Sequence, residues 1–194
     1  MAPARKPSAV PLADHADAGA GVAVVDDAQA ASAAAQAALA GFAPVLDTRT
    51  RILMLGSFPG VASLGAAQYY AHPRNQFWRL IGTVLEEDLV SLAYPQRLER
   101  LLSRGVGLWD VLAACHREGS LDAAIRHAQP NDFASLRAQA PRLETLCFNG
   151  KTAGRFAPLL AEAGYRTLVL PSSSPANAML SFEQKLAVWQ TLLG

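Results

Sequence analysis

With 194 residues, 51% of them apolar, the chain has room for one domain with a proper core and hardly for two. No run approaches the eighteen or more uncharged apolar positions of a membrane span, and the opening MAPARKPSAVPLADHADAGAG has no apolar leader stretch, so a cytoplasmic protein without a membrane partner is expected. Arg5 and Lys6 against Asp14, Asp17, Asp26 and Asp27 leave residues 1–46 at −2 and the remainder of the +1 chain at +3, which permits nucleic acid without arguing for it.

Residues 1–46 are biased to Ala, Pro and Asp and are expected to form a disordered tail, with Ala28–Ala40 as a transient helix at most. The remaining 47–194 reads as the folded domain. Ile52–Leu55, an unbroken apolar run, predicts a strand covered on both faces. Gly56-Ser57-Phe58-Pro59-Gly60 stops it, and the next loop carries Tyr69, Tyr70, His72, Arg74 and Asn75. Aromatic faces, a basic side chain and amides on one loop suit a flat heterocycle attached to a phosphate chain. Phe77, Trp78, Leu80, Ile81, Val84 and Leu85 then recur at helical spacing, predicting a helix over Gln76–Glu86.

A second helix is predicted from Pro95 to the residue before Gly105, and Val106–Val111 as the second strand, with Asp110 at its far end. Ser120 and Asn131 read as caps of short helices that follow them. Glu144–Phe148 is the third predicted strand, followed by Asn149-Gly150-Lys151-Thr152 and a helix that Pro158 restarts and Gly164 closes. Thr167–Leu170, the fourth, runs into Pro-Ser-Ser-Ser-Pro-Ala-Asn. A last helix over Phe182–Leu193 opens with a capping box from Ser181 and Gln184, and Phe182, Leu186, Trp189 and Leu193 form its apolar stripe. The alternation implies an α/β fold: three layers, α/β/α, around a four-stranded parallel sheet. Cys115 and Cys147 stand alone without metal-ligand spacing and read as two buried thiols.

Right-handed crossovers put the polar segments after all four strands at one edge of the sheet. Two familiar chemistries are excluded there. Gly150-Lys151-Thr152 is no phosphate-binding P-loop, because Thr145 stands where the required glycine belongs. The serines 172–174 lack a nucleophile elbow and a convincing His-acid pair.

LGSFPG, YYAHPRNQFW, GLWD, CFNGK and LPSSSPAN together resemble the uracil-DNA glycosylase superfamily, and most of all its hypoxanthine-DNA (deoxyinosine) branch. The resemblance covers about Arg51 to Leu193. It implies a monofunctional DNA glycosylase that needs no cofactor or metal, acts as a monomer, and binds DNA containing a deaminated base. Better-known branches carry Asp or Asn where this chain has Phe58, whose ring cannot activate water. The resemblance therefore implies Asn75 and Asn149 as the catalytic amides. Gly56, Ser57, Phe58, Tyr70 and Asp110 would surround the base, with Tyr70 as stacking aromatic. Asp110 would either accept a hydrogen bond from the N1–H of hypoxanthine or share a proton with the departing purine. Ser174, Pro175, Ala176 and Asn177 match the loop that enters the minor groove, Ala176 standing where a relative has a leucine wedge. His72, Arg74, Lys151, Ser172 and Ser173 complete the expected DNA contacts. Uracil or a mismatched pyrimidine as the target base, and a silent nucleic-acid-binding module, are the alternatives. Asn75 also fits a plain helix cap, and Tyr69 and Trp109 plain packing.

Overall fold

A computed structural model describes Met1 and residues 38–193, so the expected tail over 2–37 lies outside the described residues. The fold starts before residue 47. Leu39–Ala40 forms a short strand, β1, antiparallel to Leu112–His116, β4, which also pairs with the exposed Arg126–Pro130, β5. Gly41 donates its N–H to the Ala113 carbonyl, and Val45 pairs with Leu108. The reason is apolar: Leu39 and Leu46 pack against one core cluster, Phe42 and Val45 against the other. This three-stranded antiparallel sheet was not foreseen. Ala-rich Leu112–His116 and polar Arg126–Pro130 show no alternation of the kind that marks a half-buried strand.

Four five-residue strands make the parallel sheet: Ile52–Gly56 (β2), Val106–Asp110 (β3), Thr145–Asn149 (β6) and Arg166–Leu170 (β7), in the order β3-β2-β6-β7. Side chains alternate across it. Leu53 and Leu55 enter one core with Leu146 and Phe148, while Met54 enters the other with Leu108 and Cys147. Among the described residues seven α-helices accompany the strands: Val61–Ala66 (α1), Phe77–Leu85 (α2), Tyr94–Ser103 (α3), Leu136–Gln139 (α4), Lys151–Gly154 (α5), Ala157–Glu162 (α6) and Phe182–Trp189 (α7). Residues of α2, α3 and α7 pack on the Met54 side and residues of α4, α5 and α6 on the Leu53 side. The expected three layers are present. Cys115 and Cys147 are buried free thiols, and burial pushes the Cys147 thiol up to about 12.

The chain leaves β2 toward β3 on one side and leaves β6 toward β7 on the other. Such a reversal opens a crevice at the carboxyl ends of the two central strands. Gly56 and Asn149 occupy those ends. Several local expectations change. Helix α1 lies where only a loop was expected, and Ser120 caps it rather than its own following turn, accepting the Val61 N–H at 3.0 Å. Asn131 donates to the Asp110 carbonyl instead of capping a helix. Helix α7 has the expected capping box but passes into a 3₁₀ turn at Gln190–Leu192, which buries Leu192 and leaves Leu193 60% exposed.

Candidate active site

Gly56 and Asp110 are register partners at the tips of β2 and β3. A Cβ at Gly56 would collide with Asp110 Oδ1 and stand 3.1 Å from the Tyr70 hydroxyl, so only glycine lets these two side chains share the space above the strand. Asp110 is 3% exposed, yet its Oδ2 has no hydrogen-bond partner, and neither has the equally buried Tyr70 hydroxyl. Burial, reinforced by the charge of Asp122 and opposed by that of Arg117, raises the Asp110 carboxyl to about 7. Burial and the Asp110 charge, only partly offset by the nearby Asn149 amide, push the Tyr70 phenol above its usual range, so it stays a neutral donor.

Tyr70 takes a left-handed backbone, φ 55°, uncommon for a bulky residue. Its neighbours enforce it. Tyr69 is buried, donates its backbone N–H to the Tyr94 hydroxyl at 2.9 Å, and accepts the Trp78 indole N–H on its carbonyl. Tyr69 and Trp109 are packing residues, as expected. The Tyr70 ring lies flat on Phe77, centroids 3.7 Å apart and planes within 12°. One face of the expected stacking aromatic is thus covered by protein.

Phe58 does not offer its ring to the crevice. It is 5% exposed within the core, and the Arg117 guanidinium lies 5.2 Å from its centroid. Arg117, Ser120 and Asp122 all come from the connection between β4 and β5, which closes over Gly56–Gly60, the first-motif turn. Ser57 donates its hydroxyl to Asp122 Oδ1 at 2.7 Å, and Arg117 donates through Nη2 to the Pro59 carbonyl. Sequence reading missed this closure, because no spacing ties Arg117 to a turn fifty-eight positions earlier.

Asn149, at the tip of β6, is committed at both ends of its amide. Nδ2 donates to Ser173 Oγ at 2.8 Å, and Oδ1 accepts the Ser173 N–H at 2.9 Å. Ser173 is fully buried, so it is a clamp within the protein and not the DNA contact expected of it. Its carbonyl also accepts the Gln76 N–H, and Gln76 Oε1 accepts from Lys185 Nζ, a lysine 2% exposed whose pKa burial lowers. Ser173 thereby links the Asn149 and Asn75 loops. Asn75 Oδ1 accepts the Phe77 N–H at 2.9 Å, an Asx turn that leads into α2; the cap position itself is Gln76, so Asn75 is not the expected N-cap. Its carbonyl keeps a second lone pair. Gly150, with φ 104°, turns the chain into α5, and a Cβ there would press on Ser172 at 2.9 Å.

The other expected DNA contacts lie outward. Arg74, Lys151, Pro175 and Ala176 are exposed. His72 Nδ1 accepts the Arg74 N–H, Ser172 Oγ accepts the Ser174 N–H, and Ser174 Oγ accepts the Ala176 N–H. Asn177 Nδ2 donates to the Ser172 carbonyl. Beyond Ala176 the same loop carries Met179, 94% exposed, which sequence reading overlooked. A separate cleft of about 390 Å³, lined by residues that include Gly82, Glu86 and Leu89, lies at the far end of α2 from Asn75 and holds none of these groups.

The sequence model of the uracil DNA glycosylase superfamily matches residues 43–193. A hypoxanthine DNA glycosylase of Methanosarcina barkeri is 49% identical over 137 residues, covering 71% of this chain and 87% of that protein. One of Methanosarcina acetivorans is 45% identical over 152 residues, 78% of this chain and 96% of that protein. A solution NMR structure from Methanosarcina acetivorans, provisionally assigned as a uracil DNA glycosylase, superposes with a TM-score of 0.73 at 44% identity, covering 81% of this chain and all of that one.

Proposed function

We propose, from the premise that this chain belongs to the uracil DNA glycosylase superfamily and to its hypoxanthine-DNA branch, that it hydrolyses the N-glycosidic bond of hypoxanthine in DNA. The observation that carries the site assignment is the buried, unpartnered carboxyl of Asp110 sharing the space above Gly56 with the unpartnered Tyr70 hydroxyl. Buried polar groups are normally satisfied, so two orphans at a strand-tip crevice mark a place for a ligand's polar edge.

The target nucleotide leaves the duplex to reach this crevice. Bond breaking builds positive charge on the sugar and negative charge on the base. Asn75 positions the attacking water through the free lone pair of Oδ1, since a centre so cationic needs a held nucleophile more than a deprotonated one. The C1′–N9 bond breaks, its electron pair leaves with the purine, and a water oxygen bonds to C1′. Asp110 gives its proton to the purine while the water's proton passes to solvent. A raised carboxyl pKa suits that acid role, because near neutrality a large share of Asp110 still holds the proton. Asn149 acts through Ser173 by fixing the loops around Asn75. Arg74 and Lys151 meet phosphates, and Met179 is the apolar wedge that Ala176 is too small to supply.

Incubation with duplexes holding one deoxyinosine or one deoxyuridine, followed by alkali, tests the reading. Alkali-dependent nicking at deoxyinosine is expected. Nicking at deoxyuridine alone would move the assignment to uracil, and nicking at neither would leave a binding module.

A further inference from the structure

We infer that Arg117 donates a hydrogen bond from its free guanidinium nitrogen to the exocyclic carbonyl oxygen of the extruded base, and so selects deaminated bases over their amino precursors. The inference rests on the glycosylase reading above and assigns a residue outside every motif that supports it.

Among the described residues, three buried side-chain polar atoms have no hydrogen-bond partner: the Tyr70 hydroxyl, Asp110 Oδ2 and Arg117 Nη1. The first stands above Gly56 beside Oδ1 of the carboxyl that carries the second. The third belongs to a guanidinium held rigidly beside the same turn. Nε donates to the Gly119 carbonyl at 3.0 Å, Nη2 donates to the Pro59 carbonyl, and the plane stands over Phe58. Gly56 and Ser57, which precede Phe58, are bonded through their carbonyls to the N–H groups of Val111 and Leu112, at the head of β4, and Arg117 directly follows the other end of that strand. Arg117 makes no ion pair among the described residues. An arginine serving only to bridge two backbone carbonyls has no need to bury a third nitrogen unpaired, since that forfeits its hydration.

The chemistry of deamination says what the nitrogen awaits. Deamination replaces an exocyclic amino group, a donor, with a carbonyl, an acceptor: adenine becomes hypoxanthine and cytosine becomes uracil. A fixed donor is satisfied by the product and faces another donor in the precursor, an arrangement that leaves both unpaired. Arginine suits the task because it stays charged and cannot offer an acceptor to the amino group. As the glycosidic bond breaks, negative charge spreads onto that same oxygen, so a guanidinium preset beside it stabilises the departing base more than the bound one.

The test compares single-turnover excision by wild type and Arg117→Met from duplexes holding deoxyinosine or deoxynebularine, whose purine lacks the exocyclic oxygen. The variant should lose about a hundredfold on deoxyinosine, the scale of removing one preset donor, and little on deoxynebularine, so that the wild-type preference collapses. Equal losses on both substrates would make Arg117 a structural residue and overturn the inference, as would no loss on either. If Arg117→Met fails to fold by circular dichroism, Arg117→Lys keeps the charge but not the fork, and the same split is expected; equal losses again overturn it. Wild type inert on deoxyinosine and deoxyuridine would instead overturn the glycosylase reading, and this inference with it.

Discussion

Asp110 joins an expected position to an unexpected environment, and its proton governs two measurable slopes. Its carboxyl titrates near 7 in the fold, against about 4 in an unfolded chain. Between those values the folded state holds more protons than the unfolded one, so this group's contribution makes stability fall as pH rises from about 4 to about 7 and level off above. Asp110→Asn should remove that component from melting temperatures and raise stability at pH 8. Acting as the acid, Asp110 should make single-turnover excision fall as pH climbs through about 7, with the Asn variant slow and flat. A rate that rises with pH would assign it instead to accepting the N1–H of hypoxanthine. Asn75 is a second residue with two duties. Because its Oδ1 holds the first N–H of α2, Asn75→Ala should cost about 1 kcal/mol, a shift of a few degrees, besides abolishing excision. Asn75→Asp keeps the acceptor and should recover the melting temperature; near-normal excision by the alanine variant would remove Asn75 from the reaction.

At the level of elements, the loop after β7 is held by one buried serine. Ser173→Ala strands the Asn149 amide without an acceptor, and should destabilise by roughly 1–3 kcal/mol while lowering excision through the shifted Asn75 loop. Unchanged excision would confine the clamp to stability. The parallel strands, α2, α3 and α7 were legible because each rests on a local pattern: an unbroken apolar run, helical spacing, a capping box. What escaped is non-local. The partnership of Asn149 with Ser173 spans twenty-four positions, and that of Ser57 with Asp122 sixty-five. Neither strand of the β4–β5 pair alternates enough to declare itself. A buried serine and an exposed one look alike in sequence, which is why Ser173 was expected on the DNA.

For the domain as a whole, weak net charge implies a modest electrostatic grip on the duplex. With Arg74 and Lys151 as the exposed cations of the proposed contact face, log Kd against log salt should have a slope near 2 in magnitude, and Arg74→Ala should reduce it by about 1. A much steeper dependence would require basic contacts elsewhere. Met179→Ala should leave that slope alone and slow excision from well-paired lesions more than from mispaired ones, as the loss of a wedge would. The β4–β5 pair bonds to the rest of the protein through β1 and the first-motif turn, and supplies no strand to the parallel sheet. A segment attached in this way is open to exchange between homologues as a cassette. Chimaeras that trade residues 112–130 alone should therefore inherit the donor's lesion preference while keeping the recipient's bond-breaking machinery.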